Sequence, residues 1–257
     1  YYGRDPETGE VALTASGMRE ARKAFAIPSA TTIEGVVEKW GLWNWKMNNV
    51  ARRAIHAERL PEENDDQMVK RVISDASQMN VSAMSYGTYV HGQAEAILNG
   101  EPYDSDEPFV AKLAEWIGEN ITKTIWTEKA LIHPTNLYAG RADALVEMKD
   151  VEGPVLIDWK TQRFAFRSGK CSPNYYDSYP RQLAAYADCI GAGSTKPRIC
   201  SVAINTNAPS VPVARAWTEE EQAHALRAFL LIAELWCILK KYDPRLCVRE
   251  ETKEKAA

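Results

Sequence analysis

Cysteine is scarce and unpatterned in this chain. The five residues (Cys171, Cys189, Cys200, Cys237 and Cys247) are odd in number, and no two show C-x-x-C spacing. A disulfide framework is excluded, and neither a zinc site nor an oxidising compartment is expected. Such cysteines read as reduced, mostly buried thiols of a cytoplasmic protein. Histidine is equally sparse, with four residues, and no Gly-rich phosphate cradle is present. Both absences disfavour a small-phosphoester hydrolase. No run approaches the ~18 apolar residues of a membrane span, so no membrane partner is expected. Positive charge is not in excess: 31 Lys and Arg face 35 Asp and Glu, a net charge of −4. A passive DNA coat needs clustered cations and is disfavoured. An enzyme whose cation centre gathers carboxylates, beside a locally basic groove, is not. The opening YYGRDPETGE has neither the basic start nor the apolar core of a secretory signal. It also lacks an initiator Met, so a trimmed piece of a longer chain is one of two open readings.

What is present is an ordinary globular composition, 45% hydrophobic and 26% charged over 257 residues, with no repeat and no low-complexity tract. TASGMREARKAF predicts a short helix. Ser29 or Thr31 caps a helix beginning near Thr32, with Ile33, Val36, Val37 and Trp40 at helical spacing. Further helices are expected over about 65–79, from about 85 to the stop signal Asn99-Gly100, and over about 107–123 with Phe109, Leu113, Trp116 and Ile117 inward. The period then changes. WTEKALIH, YAGRADALVEM and PVLIDWKTQ read as strands, YPRQLAAYADCIGAG as a helix ending at Gly191 or Gly193, RICSVAINTN and PVARAWT as strands. TEEEQAHALRAFLLIAELWCILKKY reads as an amphipathic helix with acidic residues in its first turn. The order predicts an α/β fold, a central mixed sheet flanked by helices. Residues 1–124 form a helical portion packed on a core of 125–257, one domain overall, and the tail REETKEKAA frays.

The segment GRADALVEMKDVEGPVLIDWKTQ carries the chemistry. A hairpin with its tip near 150–153 brings Asp143 close to Asp158. Asp158 and Lys160 are two apart, so both leave one face of their strand. Two carboxylates and an ammonium then converge, the inventory that metal-assisted phosphodiester hydrolysis requires. An ordinary cross-strand ion pair is the alternative. It is disfavoured because VLIDWKT reads as a strand buried on both faces, where Asp and Lys seldom sit without a site. Gln182 and Tyr186 lie four apart on the next helix and can donate to a phosphate or to attacking water; a plain helix surface is the other reading. His91 and Glu95 share a helical face upstream. His91 completes a metal shell, or is a buried histidine bonded to a backbone carbonyl.

Together these residues resemble the RecB-like branch of the PD-(D/E)XK nucleases, which includes phage-type and mitochondrial genome maintenance exonucleases. The matching elements run in order over about residues 27–217: P-S-x-T-x-I in IPSATTI, G-x-x-x-H-x-x-x-E at Gly87, His91 and Glu95, G-x-x-D at Gly140 and Asp143, D-x-K-T at Asp158, Lys160 and Thr161, and Q-x-x-x-Y at Gln182 and Tyr186. The resemblance implies a restriction-endonuclease-like core and Mg²⁺ or Mn²⁺ held by His91, Asp143 and Asp158, with the Trp159 carbonyl as a further ligand. It makes Lys160 the catalytic lysine and gives Gln182 and Tyr186 the placing of water or phosphate. Arg141, Thr161, Gln162, Arg163, Ser29 and Thr31 contact DNA, while Glu95 and Glu128 are weaker members. Some relatives carry an iron–sulfur cluster on one cysteine before the core and three after it. Here none precedes Cys171, and Cys237 and Cys247 stand ten apart, so no cluster is expected.

The function so implied is a DNA exonuclease of phage or prophage recombination or end processing, with a phage single-strand annealing protein as a possible partner. An endonuclease of the same superfamily, or a non-catalytic DNA-binding or assembly module, is the alternative. Oligomeric state is left open. Trp40, Trp43 and Trp45 either stack on unpaired bases or, as is favoured, pack in the helical half.

Overall fold

The computed structural model describes residues 1–5, 8–37, 40–135, 137–164, 166–167, 170–191 and 195–246; Gly193, Cys247 and the expected frayed tail lie outside them. In chain order, two three-residue strands, β1 (Tyr2–Arg4) and β2 (Val11–Leu13), pair antiparallel. The short helices α1 (Met18–Lys23) and α2 (Ala30–Glu34) follow, then the longer α3 (Trp40–Ile55), α4 (Asp65–Asn99) and α5 (Pro108–Asn120). Strands β3 (Ile121–Ile132), β4 (Ala139–Met148) and β5 (Pro154–Gln162) come next, with a two-residue ribbon β6 (Phe166–Arg167) and β7 (Lys170–Cys171). Helix α6 (Ser178–Ile190), strands β8 (Arg198–Asn205) and β9 (Val213–Ala216), and helix α7 (Glu219–Lys240) complete the fold.

Backbone proximity divides the chain into two units, Tyr1–Val36 with His91–Ala257, and Val37–Val90. The first is mixed α/β. Its five-stranded sheet has the order β3-β4-β5-β8-β9, antiparallel except for the β5–β8 pair. A parallel pair needs a crossover, and α6 supplies it. Leu145 and Leu156 on one face of the sheet pack with Leu183 and Ala184 of α6 and Phe229 and Trp236 of α7. On the other face Trp159 meets Trp116 of α5 edge-on, centroids 5.9 Å apart. Each fully buried apolar side chain of this kind contributes about 1.5–3 kcal/mol. Thr218 and Glu221 close a capping box on α7, which fixes where that helix starts.

Several element boundaries differ from the sequence expectation, each for a local reason. The β1–β2 ribbon lies inside the portion expected to be helical, because three-residue strands leave no readable period. Ser29 does cap α2, accepting from the Thr32 N–H at 3.0 Å, but the helix stops at Gly35 before Val36, Val37 and Trp40. The two helices expected over 65–79 and from 85 are one, since no Gly or Pro stands between Met79 and Ser85. Helix α5 ends at Asn120 rather than near 123, because the β-branched run from Ile121 favours a strand. Val110, not Phe109, is the fully buried residue of its first turn.

Glu34 is only 2% exposed and is held by a two-pronged pair: Arg181 Nε and Nη2 donate to Oε1 and Oε2 at 2.7 and 2.8 Å. This clamp joins α2 to α6 and was not legible in the sequence.

The second unit holds α3 and the first part of α4. Arg71 bonds both Glu63 oxygens at 2.8 Å, and Arg53 meets Asp75 at 3.1 Å. Trp40, Trp43 and Trp45 are 61, 50 and 43% exposed. The favoured expectation of core packing is therefore corrected: helix α3 carries too many large rings for this small unit to bury.

Candidate metal centre

The register of the sheet builds the centre. Ala144 pairs with Ile157, so the next positions, Asp143 and Asp158, face each other where the β4–β5 ladder ends. Thr127 and Lys129 of β3 pair with Ala144 and Ala142, which brackets Glu128 opposite Asp143. Three carboxylates on three adjacent strands thus stand in one row. Glu128 has a φ of +44°, a left-handed conformation costing about 1–3 kcal/mol for a residue with a Cβ.

Helix α4 adds His91. Its Nε2 donates to the Trp159 carbonyl oxygen at 2.9 Å, since a carbonyl can only accept. In the neutral ring Nδ1 then carries a lone pair, and it lies 3.5 Å from Asp143 Oδ2. The imidazole is held neutral because burial lowers its pKa, outweighing the opposing pull of Asp158. Burial first, and the charge of Asp158 second, push the Asp143 carboxyl well above the usual carboxylate range. Glu128 is also raised, by burial and then by the nearby Glu95. His91, Glu128 and Asp143 each offer a ligand atom within 4.8 Å of the others. His91 bonds a backbone carbonyl through one nitrogen, as one expectation had it, and faces Asp143 with the other. The Trp159 carbonyl, expected as a ligand, is engaged by that bond.

Asp158 is 4% exposed. Lys160 Nζ donates to its Oδ1 at 2.7 Å. Oδ2 is equally close to the ammonium but out of line, and it is buried with no hydrogen-bond partner. Asp143 Oδ2 accepts from the Trp159 N–H at 2.8 Å, tying the row to β5. Lys160 also sits 5.0 Å from the centre of the Tyr179 ring. Tyr179 was not singled out from the sequence, where one Tyr among eleven carries no signal.

The other expected residues divide into groups. Ser29, Thr31, Arg141, Gln182 and Tyr186 line one cavity of about 350 Å³ together with Tyr2. Gln182 donates to the Tyr186 hydroxyl at 3.3 Å. Arg141 lies 3.9 Å from Glu128, so the cavity adjoins the acid row. Gln162 stands apart: its amide brackets the backbone of Asn174 in both directions at 3.1 and 2.9 Å. Thr161 is half-buried and Arg163 exposed beyond the same strand. Glu95 accepts from Thr127 at 3.5 Å, one helical turn from His91.

Gly140 is what lets Tyr186 approach. A Cβ there would meet the Tyr186 ring and hydroxyl at 2.5 Å. Gly140→Ala should therefore displace Tyr186 and cost about 1–3 kcal/mol, as overpacking does. Thermal unfolding checks the loss, and an unchanged melting temperature contradicts the contact.

The donor set suits a hard or borderline divalent cation: carboxylate oxygens and one imidazole nitrogen, with no thiolate among them. The raised Asp143 and Glu128 carboxyls beside Asp158 are what a cluster of acids short of positive charge displays. No known protein-family model matches the chain, and no curated protein matches it.

Proposed function

We propose that the chain is a Mg²⁺- or Mn²⁺-dependent deoxyribonuclease of the PD-(D/E)XK type, acting on DNA ends as an exonuclease. The observation that carries this reading is the row Glu128–Asp143–Asp158 with His91 above it and Lys160 beside it. Such a row at the end of an antiparallel ladder, next to a parallel strand reached through a helix, also supports the PD-(D/E)XK assignment of the α/β fold.

His91, Asp143 and Glu128 offer ligand atoms close enough to share a cation, and Asp158, the next acid in the row, would join them once Lys160 leaves it. A divalent cation bound there supplies positive charge against the phosphoryl oxygens and makes water more acidic. The residues do the rest. Lys160 leaves Asp158 and places its ammonium beside the attacking water, which it orients by donating a hydrogen bond while the proton of that water passes to solvent. Its charge also offsets that growing on the phosphorus centre. Gln182 and Tyr186 present their donors from α6 to a phosphate oxygen. Arg141, Ser29 and Thr31 hold the backbone of the DNA in the adjoining cavity, while Thr161 and Arg163 lie along its exit from β5. Gln162 is spent on Asn174 and is assigned to loop support.

The test is incubation with end-labelled DNA, linear and circular, in Mg²⁺, Mn²⁺, Ca²⁺ or excess chelator. Linear DNA should be degraded in Mg²⁺ or Mn²⁺ and circular DNA spared, with Ca²⁺ binding but giving no turnover. Cleaved circles would favour the endonuclease reading, and undiminished cleavage in chelator would exclude both.

A further inference from the structure

The ammonium of Lys160 has two partners among the described residues: the Asp158 carboxylate at 2.7 Å, and the face of the Tyr179 ring, whose centre lies 5.0 Å away. Catalysis as proposed above, on which this inference rests, requires Lys160 to leave Asp158. The four-carbon lysine stem is flexible and free to swing once that ion pair opens. The ring is then the contact that remains.

Helix α6 builds it. Tyr179, Gln182 and Tyr186 stand at steps of three and four residues, so one face of the helix presents all three. Gln182 and Tyr186 already line the cavity beside the acid row. Tyr179 sits in the first turn, where its N–H donates to the Tyr176 carbonyl oxygen at 2.9 Å. The Tyr176 ring meets it edge-on, with centroids 5.5 Å apart and planes at 84°. Tyr179 is thereby held half-buried against the core. Its hydroxyl forms no hydrogen bond among the described residues, so the lysine contact uses the ring face and not the oxygen.

We propose that Tyr179 is the positioning residue for Lys160: its ring face holds the ammonium beside the acid row while Asp158 is turned to a bound cation. An aromatic face suits this place better than another carboxylate. A fourth acid would add negative charge to Glu128, Asp143 and Asp158 and would compete for the cation. The ring attracts the ammonium through its quadrupole, with no net charge, and a partly desolvated setting strengthens that attraction.

Plain packing is the competing role, since Tyr179 also lies against the core. Steady-state cleavage in Mg²⁺ and lysine-selective NMR separate the two. Tyr179→Leu should lower kcat about tenfold, the loss of one partly desolvated cation–π contact, with KM, Mn²⁺ affinity and the circular-dichroism spectrum unchanged. Tyr179→Phe, the conservative variant, keeps the face and should recover most of that rate. Added to Lys160→Ala, Tyr179→Leu should have no further effect, because it acts only through the lysine. In wild type saturated with Mg²⁺, the ring current should move the Lys160 ε-methylene protons upfield. That shift should persist in Tyr179→Phe and vanish in Tyr179→Leu, and the resonance is assigned by its absence from Lys160→Arg. The spectrum is independent of cleavage. A wild type that cleaves no DNA sinks the nuclease reading, whereas unshifted Lys160 protons in the Mg²⁺-saturated wild type overturn the role of Tyr179. Equal losses in Tyr179→Phe and Tyr179→Leu also overturn it, as does a full tenfold loss in the Lys160→Ala background.

Discussion

Replacing Asp158 with alanine is expected to lower DNA cleavage in Mg²⁺ by about three orders of magnitude or more, the several kcal/mol that a positioned ion and its ligands contribute. Lys160→Ala should lose about 10²–10³-fold in turnover. The two should part company in metal affinity. Asp158 offers a buried carboxylate next in the row to Asp143, so its loss weakens Mn²⁺ binding. Lys160 competes for the same carboxylate at 2.7 Å, so its removal leaves Mn²⁺ affinity unchanged or tighter. Calorimetric titration with Mn²⁺, beside single-turnover cleavage, reads both effects. Near-normal turnover in Lys160→Ala would remove the lysine from the mechanism. Equal weakening of Mn²⁺ binding by both substitutions would remove the distinction between the metal ligand and the lysine.

The second large effect is on stability and is independent of any chemistry. Arg181→Ala strands the Glu34 carboxylate, which is 2% exposed between α2 and α6. Breaking a buried pair by removing one member costs about 3–5 kcal/mol, a fall of roughly 6–15 °C in melting temperature for a chain of this size. Replacing both Glu34 and Arg181 with leucine should recover most of that loss, because no charge is left buried alone. A single substitution that costs under about 1 kcal/mol would show that water reaches the pair and that the clamp is not structural.

How far the sequence reached can be judged residue by residue. The hairpin joining Asp143 to Asp158 was legible, because a turn at 150–153 between two apolar strands fixes the register. Lys160 followed from the two-residue period alone. Glu128 was named only as a weaker member. Its place in the row depends on register shifts in β3 before Trp126 and on a left-handed backbone, neither of which leaves a mark in composition. The cavity uniting Ser29, Thr31 and Arg141 with Gln182 and Tyr186 arises because the backbone of Pro28 accepts from Ala139 and seats α2 beside β4. That is a contact across more than a hundred residues. Gln162 looked like a DNA contact from its position after the motif, yet its bonds to Asn174 give it a structural partner. The Glu34–Arg181 clamp was hidden for the same reason: an acid ending one short helix and a base opening another reveal nothing until the helices meet.

The most direct measurement is a crystal of the protein grown with Mn²⁺ and recorded at the manganese absorption edge. An anomalous peak is expected within coordinating reach of His91 Nδ1 and the Asp143 and Asp158 carboxylates, with Lys160 withdrawn from Asp158, and no peak there in Asp143→Ala. A peak only elsewhere on the molecule, or none at saturating Mn²⁺, would contradict a metal centre on this row.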